Sequence, residues 1–237
     1  MTSAPGSCST VRRGANNLEP GGALRCPPEE YCDQFPEVEG WIVAQDSSKP
    51  DFWESRYRDH VIPWDAGKVP ASLRHYLPKL QPGARILIPG CGSAYEAGYL
   101  KENGFDVLAI DFSPAAVELA KTNLAHFGDI VQLADFFGFD PGAPFDAIYE
   151  RAFLCALPRQ MWSAYPERCA QLLKPGGVIA GFFFFSETPK GPPFGTSQQE
   201  LNALLGPRFE SIEDSPVMDS IEVFSGKERW QVWRRRP

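Results

Sequence analysis

Three histidines and the lack of any Cys-x-x-Cys pair leave this 237-residue sequence without the ligand clusters of a structural zinc site, and no metal is expected. The six cysteines, Cys8, Cys26, Cys32, Cys91, Cys155 and Cys169, stand in unlike contexts, which also argues against a disulfide scaffold. Cys91, Cys155 and Cys169 fall among apolar residues, where a free thiol packs as a small hydrophobe, and that usage fits a reducing cytoplasm. No apolar segment of the export type opens the chain, and the longest apolar run, Val178 to Phe185, is far too short to span a bilayer. Basic charge is in deficit, with 23 Lys+Arg against 30 Asp+Glu. A surface of net charge −7 has no general attraction for phosphate backbones, so nucleic acid is not an expected partner. Arg234, Arg235 and Arg236 read as a solvated tail. Neither an internal repeat nor a heptad pattern is present, and a monomer is expected.

What is present is enough apolar material for a real core: 43% of the residues are hydrophobic, consistent with one α/β domain. Residues 1–50 are rich in Gly, Pro, Ser and Asn and read as a flexible extension, in which Trp41, Ile42 and Val43 are candidates to dock on the domain. From residue 51 to 237 the chain reads as one domain. Arg85–Ile88 suggests a first strand, followed by a glycine-bearing turn and a helix over Tyr95–Glu102 that Gly104 ends. Val107–Ile110 suggests a second strand. Ser113 and Pro114 then open a helix as N-cap and first residue, with Ala116, Val117, Ala120 and Leu124 at helical spacing. Ile130–Leu133, Phe145–Tyr149 and Val178–Phe185 are further strands, separated by a helix over Arg159–Leu173 that stops at Pro175-Gly176-Gly177. A helix over Thr196–Leu205 and strands at Phe209–Glu213 and Trp230–Trp233 complete a doubly wound, mostly parallel sheet.

The chemistry concentrates at Ile88-Pro89-Gly90-Cys91-Gly92-Ser93-Ala94, between a strand and a helix, where glycines let a ligand approach the backbone. Asp111 ends the next strand about 20 residues later, the spacing of a carboxylate that accepts hydrogen bonds from both ribose hydroxyls. The competing reading is that Asp111 caps a helix. A dinucleotide would require a small residue at the last position of the G-x-G-x-x-G pattern, and Tyr95 stands there. S-adenosylmethionine carries no phosphate and needs no pyrophosphate seat, so it is the preferred cofactor. Asp135 and Phe136 follow the third strand, near where an adenine edge would be read; otherwise they are a loop acid and a core ring. Trp53 and Tyr57 share one face of a short helix and, with Trp64, suit either a core or the cation of a sulfonium.

Phe52-Trp53, Pro63-Trp64-Asp65, Ile88-Pro89-Gly90-Cys91-Gly92, Ile110-Asp111, Leu172-Leu173-Lys174-Pro175-Gly176-Gly177 and Gly191-Pro192-Pro193-Phe194 together resemble the thiopurine methyltransferase-like family, nearest its halide, thiocyanate and thiol methyltransferase branch. The resemblance runs from about Asp51 to Arg235 and implies a Rossmann-like, seven-stranded class I methyltransferase fold. It implies donor contacts at Trp53, Tyr57, Trp64, Gly90, Asp111, Asp135, Phe136 and Arg151, and an acceptor pocket with Phe153 and Phe194. Tyr57 stands where the plant enzymes carry Trp. Arg151 stands where the plant halide enzymes have a Tyr facing the sulfonium, a change that favours an anionic acceptor but sits badly beside a cation. Arg151 is the candidate catalytic group, a cation that raises the thiolate fraction of a thiol; its alternative is a surface ion pair with Glu150 or Asp146. His60, His75 and His126 show no partner motif. The implied activity is methyl transfer from S-adenosylmethionine to a small sulfur nucleophile or halide. The alternatives are a larger heteroaromatic thiol as acceptor, and a non-catalytic sensor of the donor.

Overall fold

The computed structural model describes residues 46–187 and 190–237. The readings of residues 1–45, including docking by Trp41, Ile42 and Val43, lie outside the described residues. Ser47 is buried, its carbonyl accepts the Trp53 indole N–H at 2.9 Å, and helix α1 spans Pro50–Arg58. Among the described residues no helix is long and apolar enough to cross a membrane.

A seven-stranded sheet in the order β3-β2-β1-β4-β5-β7-β6 forms the centre. Its strands are β1 (Arg85–Pro89), β2 (Asp106–Asp111), β3 (Val131–Leu133), β4 (Phe145–Arg151), β5 (Leu173–Phe184), β6 (Phe209–Pro216) and β7 (Glu228–Arg235). The first five pair in parallel, and β7 runs antiparallel between β5 and β6. Alternation along each strand divides the core into two layers. Ile86 and Ile88 pack on one face with Val107, Ala109 and Tyr149, while Leu87 packs on the other with Ile110 and Ile148. The first layer is closed by α2 (Ala71–Tyr76), α3 (Tyr95–Glu102) and α4 (Pro114–Leu124), the second by α5 (Ala164–Leu172) and α6 (Gln198–Leu205).

Local chemistry explains most boundaries. Ser113 caps α4, its hydroxyl oxygen accepting the Ala116 N–H at 3.3 Å, and Pro114 fills the first helical position. Ala116, Val117, Ala120 and Leu124 form its buried stripe. The expected helix over Arg159–Leu173 is instead a 3₁₀ turn at Arg159–Met161 followed by α5 from Ala164. Pro166 lacks an N–H and so falls in the first turn, where that group has no intrahelical partner anyway. Pro175-Gly176-Gly177 does not simply follow a helix. It makes an excursion inside β5, whose register with β4 jumps from Phe145↔Leu173 to Ala147↔Val178, and Gly176 takes φ +78° there.

The chain winds outward from β1 to β3, then returns to place β4 on the other side of β1. This reversal opens a crevice beyond the carboxyl ends of β1 and β4, the place where doubly wound sheets bind ligands.

Candidate active site

Four strand ends deliver side chains to that crevice. At the end of β1 the chain turns through Gly90 (φ +58°) and Gly92 (φ +49°). A Cβ on Gly90 would meet the Phe153 ring at 2.6 Å, and one on Gly92 the Tyr57 hydroxyl at 2.6 Å, so both positions need glycine for conformation and for space.

Asp111, at the end of β2, is buried and accepts the Gly92 N–H at 3.1 Å on one oxygen and the Ser113 N–H at 3.0 Å on the other. The two readings of this residue therefore coexist. It supports the turn into α4, and it still lines the cavity with accepting capacity left on both oxygens. Burial raises its carboxyl to about 6, against the opposing backbone N–H groups. The Gly92 N–H, a donor that a pyrophosphate would require, is already occupied.

Helix α1 roofs the crevice. Glu54 accepts the Ser113 hydroxyl at 2.7 Å and the Ala115 N–H at 2.8 Å, so α1 is tied to the N-terminus of α4 by a carboxylate at its positive end. Burial opposes the charge on Glu54, but those donors and Arg58 hold its carboxyl below the usual range. Trp53 and Tyr57 face inward from α1 and meet Trp64 edge to face, with ring centroids 5.3 and 6.1 Å away. The loop bearing Trp64 is pinned to the glycine turn by a hydrogen bond from Ser93 to Asp65.

From β4, alternation sends Glu150 and Arg151 to opposite faces. Glu150 turns toward α5, where it accepts the Phe153 N–H, the Leu154 N–H and the Tyr165 hydroxyl, while Asp146, at the far end of the strand, holds Lys174. Arg151 pairs with neither. Its Nε lies 3.7 Å from Glu96 of α3, both side chains being 13% exposed, and its guanidinium sits 4.7 Å from the Phe182 ring centroid. The surface ion pair offered as the alternative for Arg151 is thus replaced by an interior one. Burial works against the Arg151 charge, but Tyr149, Glu96 and Glu228 raise its pKa overall. Flanked by two carboxylates, the guanidinium does not present an uncompensated charge to a cationic ligand.

These groups enclose a cavity of about 800 Å³. Trp53, Tyr57, Trp64, Gly90, Asp111 and Arg151 all line it, as do Asp135 and Phe136 after β3 and Phe153 after β4. Phe136 is buried and Asp135 exposed, with its carboxylate accepting the Phe137 N–H at 3.1 Å. Phe194 does not line the cavity. It packs in the layer beside α5 and α6, and its neighbours Pro192 and Pro193 take the wall position expected of it. None of the three histidines lines the cavity. Cys91 and Cys155 do, but burial pushes both thiols well above their usual pKa.

A buried carboxylate at the second strand, a turn with no seat for phosphate and an aromatic roof fit an adenosyl sulfonium better than a dinucleotide. The family model for thiopurine S-methyltransferase matches residues 48–236. The chain belongs to that family.

The methyltransferase is 31% identical over 204 residues to a thiopurine S-methyltransferase of Nitrosospira multiformis, covering 77% of this chain and 91% of the relative. It is 29% identical over 192 residues to a probable thiol methyltransferase of Arabidopsis thaliana (77% and 84% covered), and 28% identical over 219 residues to a thiocyanate methyltransferase of Brassica oleracea (88% and 92% covered). Among solved structures, a Burkholderia thailandensis 1,6-didemethyltoxoflavin-N1-methyltransferase superposes with a TM-score of 0.62 at 21% identity, covering 79% of this chain and 87% of the other. That likeness shows the class I, Rossmann-like fold. By family the chain is an S-adenosylmethionine-dependent S-methyltransferase.

Sequence reasoning missed two acids of this region, Glu96 in the cavity wall and Glu54 behind its roof. Glu54 directly follows Trp53 in α1, and only the packing of α1 on α4 brings it to Ser113 and Ala115. Glu96 lies in the first turn of α3, four residues after Gly92; a carboxylate that close to the glycine turn was visible, but its meeting with Arg151 depends on the parallel register of β1 and β4.

Proposed function

We propose that the enzyme methylates a small sulfur nucleophile, such as an alkyl thiol, sulfide or thiocyanate, with iodide as a related acceptor. Arg151 carries this reading, as an interior cation in a largely apolar cavity that contains no histidine. S-Adenosylmethionine supplies an electrophilic methyl group on a sulfonium. Asp111 would hold the ribose hydroxyls, Gly90 would admit the donor close to the backbone, and Asp135 and Phe136 would border the adenine. Trp53, Tyr57 and Trp64 would face the sulfonium, which aromatic faces attract.

Methyl transfer is an in-line displacement, so most acceleration comes from holding the nucleophile aligned and near. Phe153 and the wall at Pro192-Pro193 would restrict where an acceptor sits. A halide or thiocyanate arrives already anionic. A free thiol has a pKa of about 8.5, and a neighbouring cation enlarges its thiolate fraction at neutral pH. Arg151 performs that task. A cavity of about 800 Å³ also favours a second reading, a heteroaromatic thiol, since that volume lies toward the upper part of the ~300–1,000 Å³ range of ligand pockets.

The test is S-adenosylhomocysteine formation with sulfide, an alkyl thiol, thiocyanate, iodide and 6-mercaptopurine, compared by kcat/KM. The small acceptors are expected to lead. A clear preference for 6-mercaptopurine would transfer the assignment to the heteroaromatic class, and donor binding with no turnover of any acceptor would favour a sensor.

A further inference from the structure

The mechanism above leaves a thiol's proton without a destination, and the carboxylates that line the cavity differ in how closely their donors hold them. Asp111 has both oxygens on backbone N–H groups, and Asp65 accepts the Ser93 hydroxyl and the Gly67 N–H. Asp135 is exposed and engaged by the Phe137 N–H. Glu96 differs. Its nearest side-chain donors are the Tyr149 hydroxyl at 3.4 Å and Arg151 Nε at 3.7 Å, both beyond ordinary hydrogen-bond length, although its side chain is only 13% exposed. Its own backbone N–H also engages it, and with about four acceptor sites the carboxylate keeps capacity for a further partner. It lines the cavity beside the guanidinium that would receive the thiolate.

We propose that Glu96 is the general base that takes the proton from a neutral thiol acceptor, leaving the thiolate opposite Arg151. This rests on the thiol methyltransferase reading above. The S–H bond breaks and an O–H bond forms on Glu96. The thiolate electron pair then makes the new S–CH₃ bond as the methyl–sulfonium bond breaks, releasing S-adenosylhomocysteine, and Glu96 returns its proton to solvent. The charged and titratable groups facing Glu96 are Arg151 and Tyr149 from β4, Asp65 from the roof loop and Cys91 from the glycine turn. Burial raises the Glu96 carboxyl, with Arg151 opposing, which brings it nearer to the pKa of a thiol.

The experiment compares the wild type with Glu96→Gln on two acceptors: an alkyl thiol, protonated at neutral pH, and 4-nitrobenzenethiol, already ionised there. A general base contributes about 10²–10⁴-fold. The expected result is a fall of about a hundredfold or more in the ratio of alkyl-thiol to nitrobenzenethiol turnover. Alkyl-thiol activity of the variant should recover as pH rises toward the thiol's own pKa. S-Adenosylhomocysteine affinity by calorimetry should stay within about threefold. An unchanged ratio, or a matched loss on both acceptors, overturns the base and leaves Glu96 as a counter-charge for Arg151. A large loss of S-adenosylhomocysteine affinity reassigns Glu96 to the donor site. If the wild type turns over neither thiol, the thiol methyltransferase reading itself falls and the base with it.

Discussion

Replacing Asp111 tests the proposed ribose contact apart from its part in the fold, because the two carry different costs. In Asp111→Ala both the Gly92 and Ser113 N–H groups lose their partner inside the protein. An orphaned buried donor costs about 1–3 kcal/mol, so about 2–6 kcal/mol of stability is at risk. Asp111→Asn keeps one carbonyl oxygen and can satisfy one of the two donors, limiting the loss to about 1–3 kcal/mol. The asparagine variant is therefore the better reporter of ligand binding. It removes the charge that strengthens hydrogen bonds from ribose hydroxyls, worth about 1.5–3 kcal/mol, and should weaken S-adenosylmethionine by roughly tenfold to a hundredfold. Calorimetry at pH 7.5 reads this directly, with thermal unfolding to show that the variant is folded. Because burial pushes the Asp111 carboxyl up to about 6 and its charged form is the stronger acceptor, donor affinity of the wild type should also fall as pH drops through 6, and the asparagine variant should lose that dependence. Wild-type affinity in a folded Asp111→Asn protein would refute the assignment of the ribose to this carboxylate.

Three further outcomes follow from the same geometry. Arg151→Gln leaves Glu96 and Glu228 without their shared cation and should lower alkyl-thiol kcat/KM by about ten- to a hundredfold, moving the rising limb of the pH–rate profile upward; a profile that keeps its midpoint would contradict the thiolate role. Glu150 is pushed up to about 7 by burial, although Tyr165 and the Leu154 and Phe153 N–H groups oppose the shift. An unfolded carboxylate titrates near 4.3, so the folded state binds the extra proton between about 4.5 and 7. Stability should therefore fall as pH rises across that window, and denaturant titrations should show the slope reduced in Glu150→Gln. Gly92→Ala forces a left-handed alanine against the Tyr57 hydroxyl, and should cost about 1–3 kcal/mol, seen as a Tm lower by roughly 5 °C together with weaker donor binding.

The sheet was legible because its signals are local. Apolar runs of strand length, the Ser113-Pro114 start and the Ala116–Leu124 stripe each state their structure without help from distant parts of the chain. Helix α3 has the bounds that the sequence suggests, Tyr95–Glu102, because a glycine turn precedes it and Gly104 follows it. What was not legible depends on register and side-chain direction. Arg151 reads alike whether its partner is Glu150, one residue away, or Glu96, more than fifty positions earlier; only the pleat of β4 and the β1–β4 pairing decide between them. Phe194 was expected in the wall from its motif, but the chain turns there so that Pro192 and Pro193 face the cavity instead. The start of α5 was misplaced because the cost of Pro166 depends on its place within the helix, which a periodic pattern does not specify.

The central claim is that this cavity moves a methyl group from sulfonium sulfur to an acceptor sulfur. The most direct measurement uses S-adenosylmethionine carrying a trideuterated methyl group and follows an alkyl thiol by mass spectrometry. The account predicts one labelled methyl thioether for each S-adenosylhomocysteine released, with the yield falling in Asp111→Asn and Arg151→Gln. Label that stays on a bound donor, with the thiol recovered unmethylated, would contradict it.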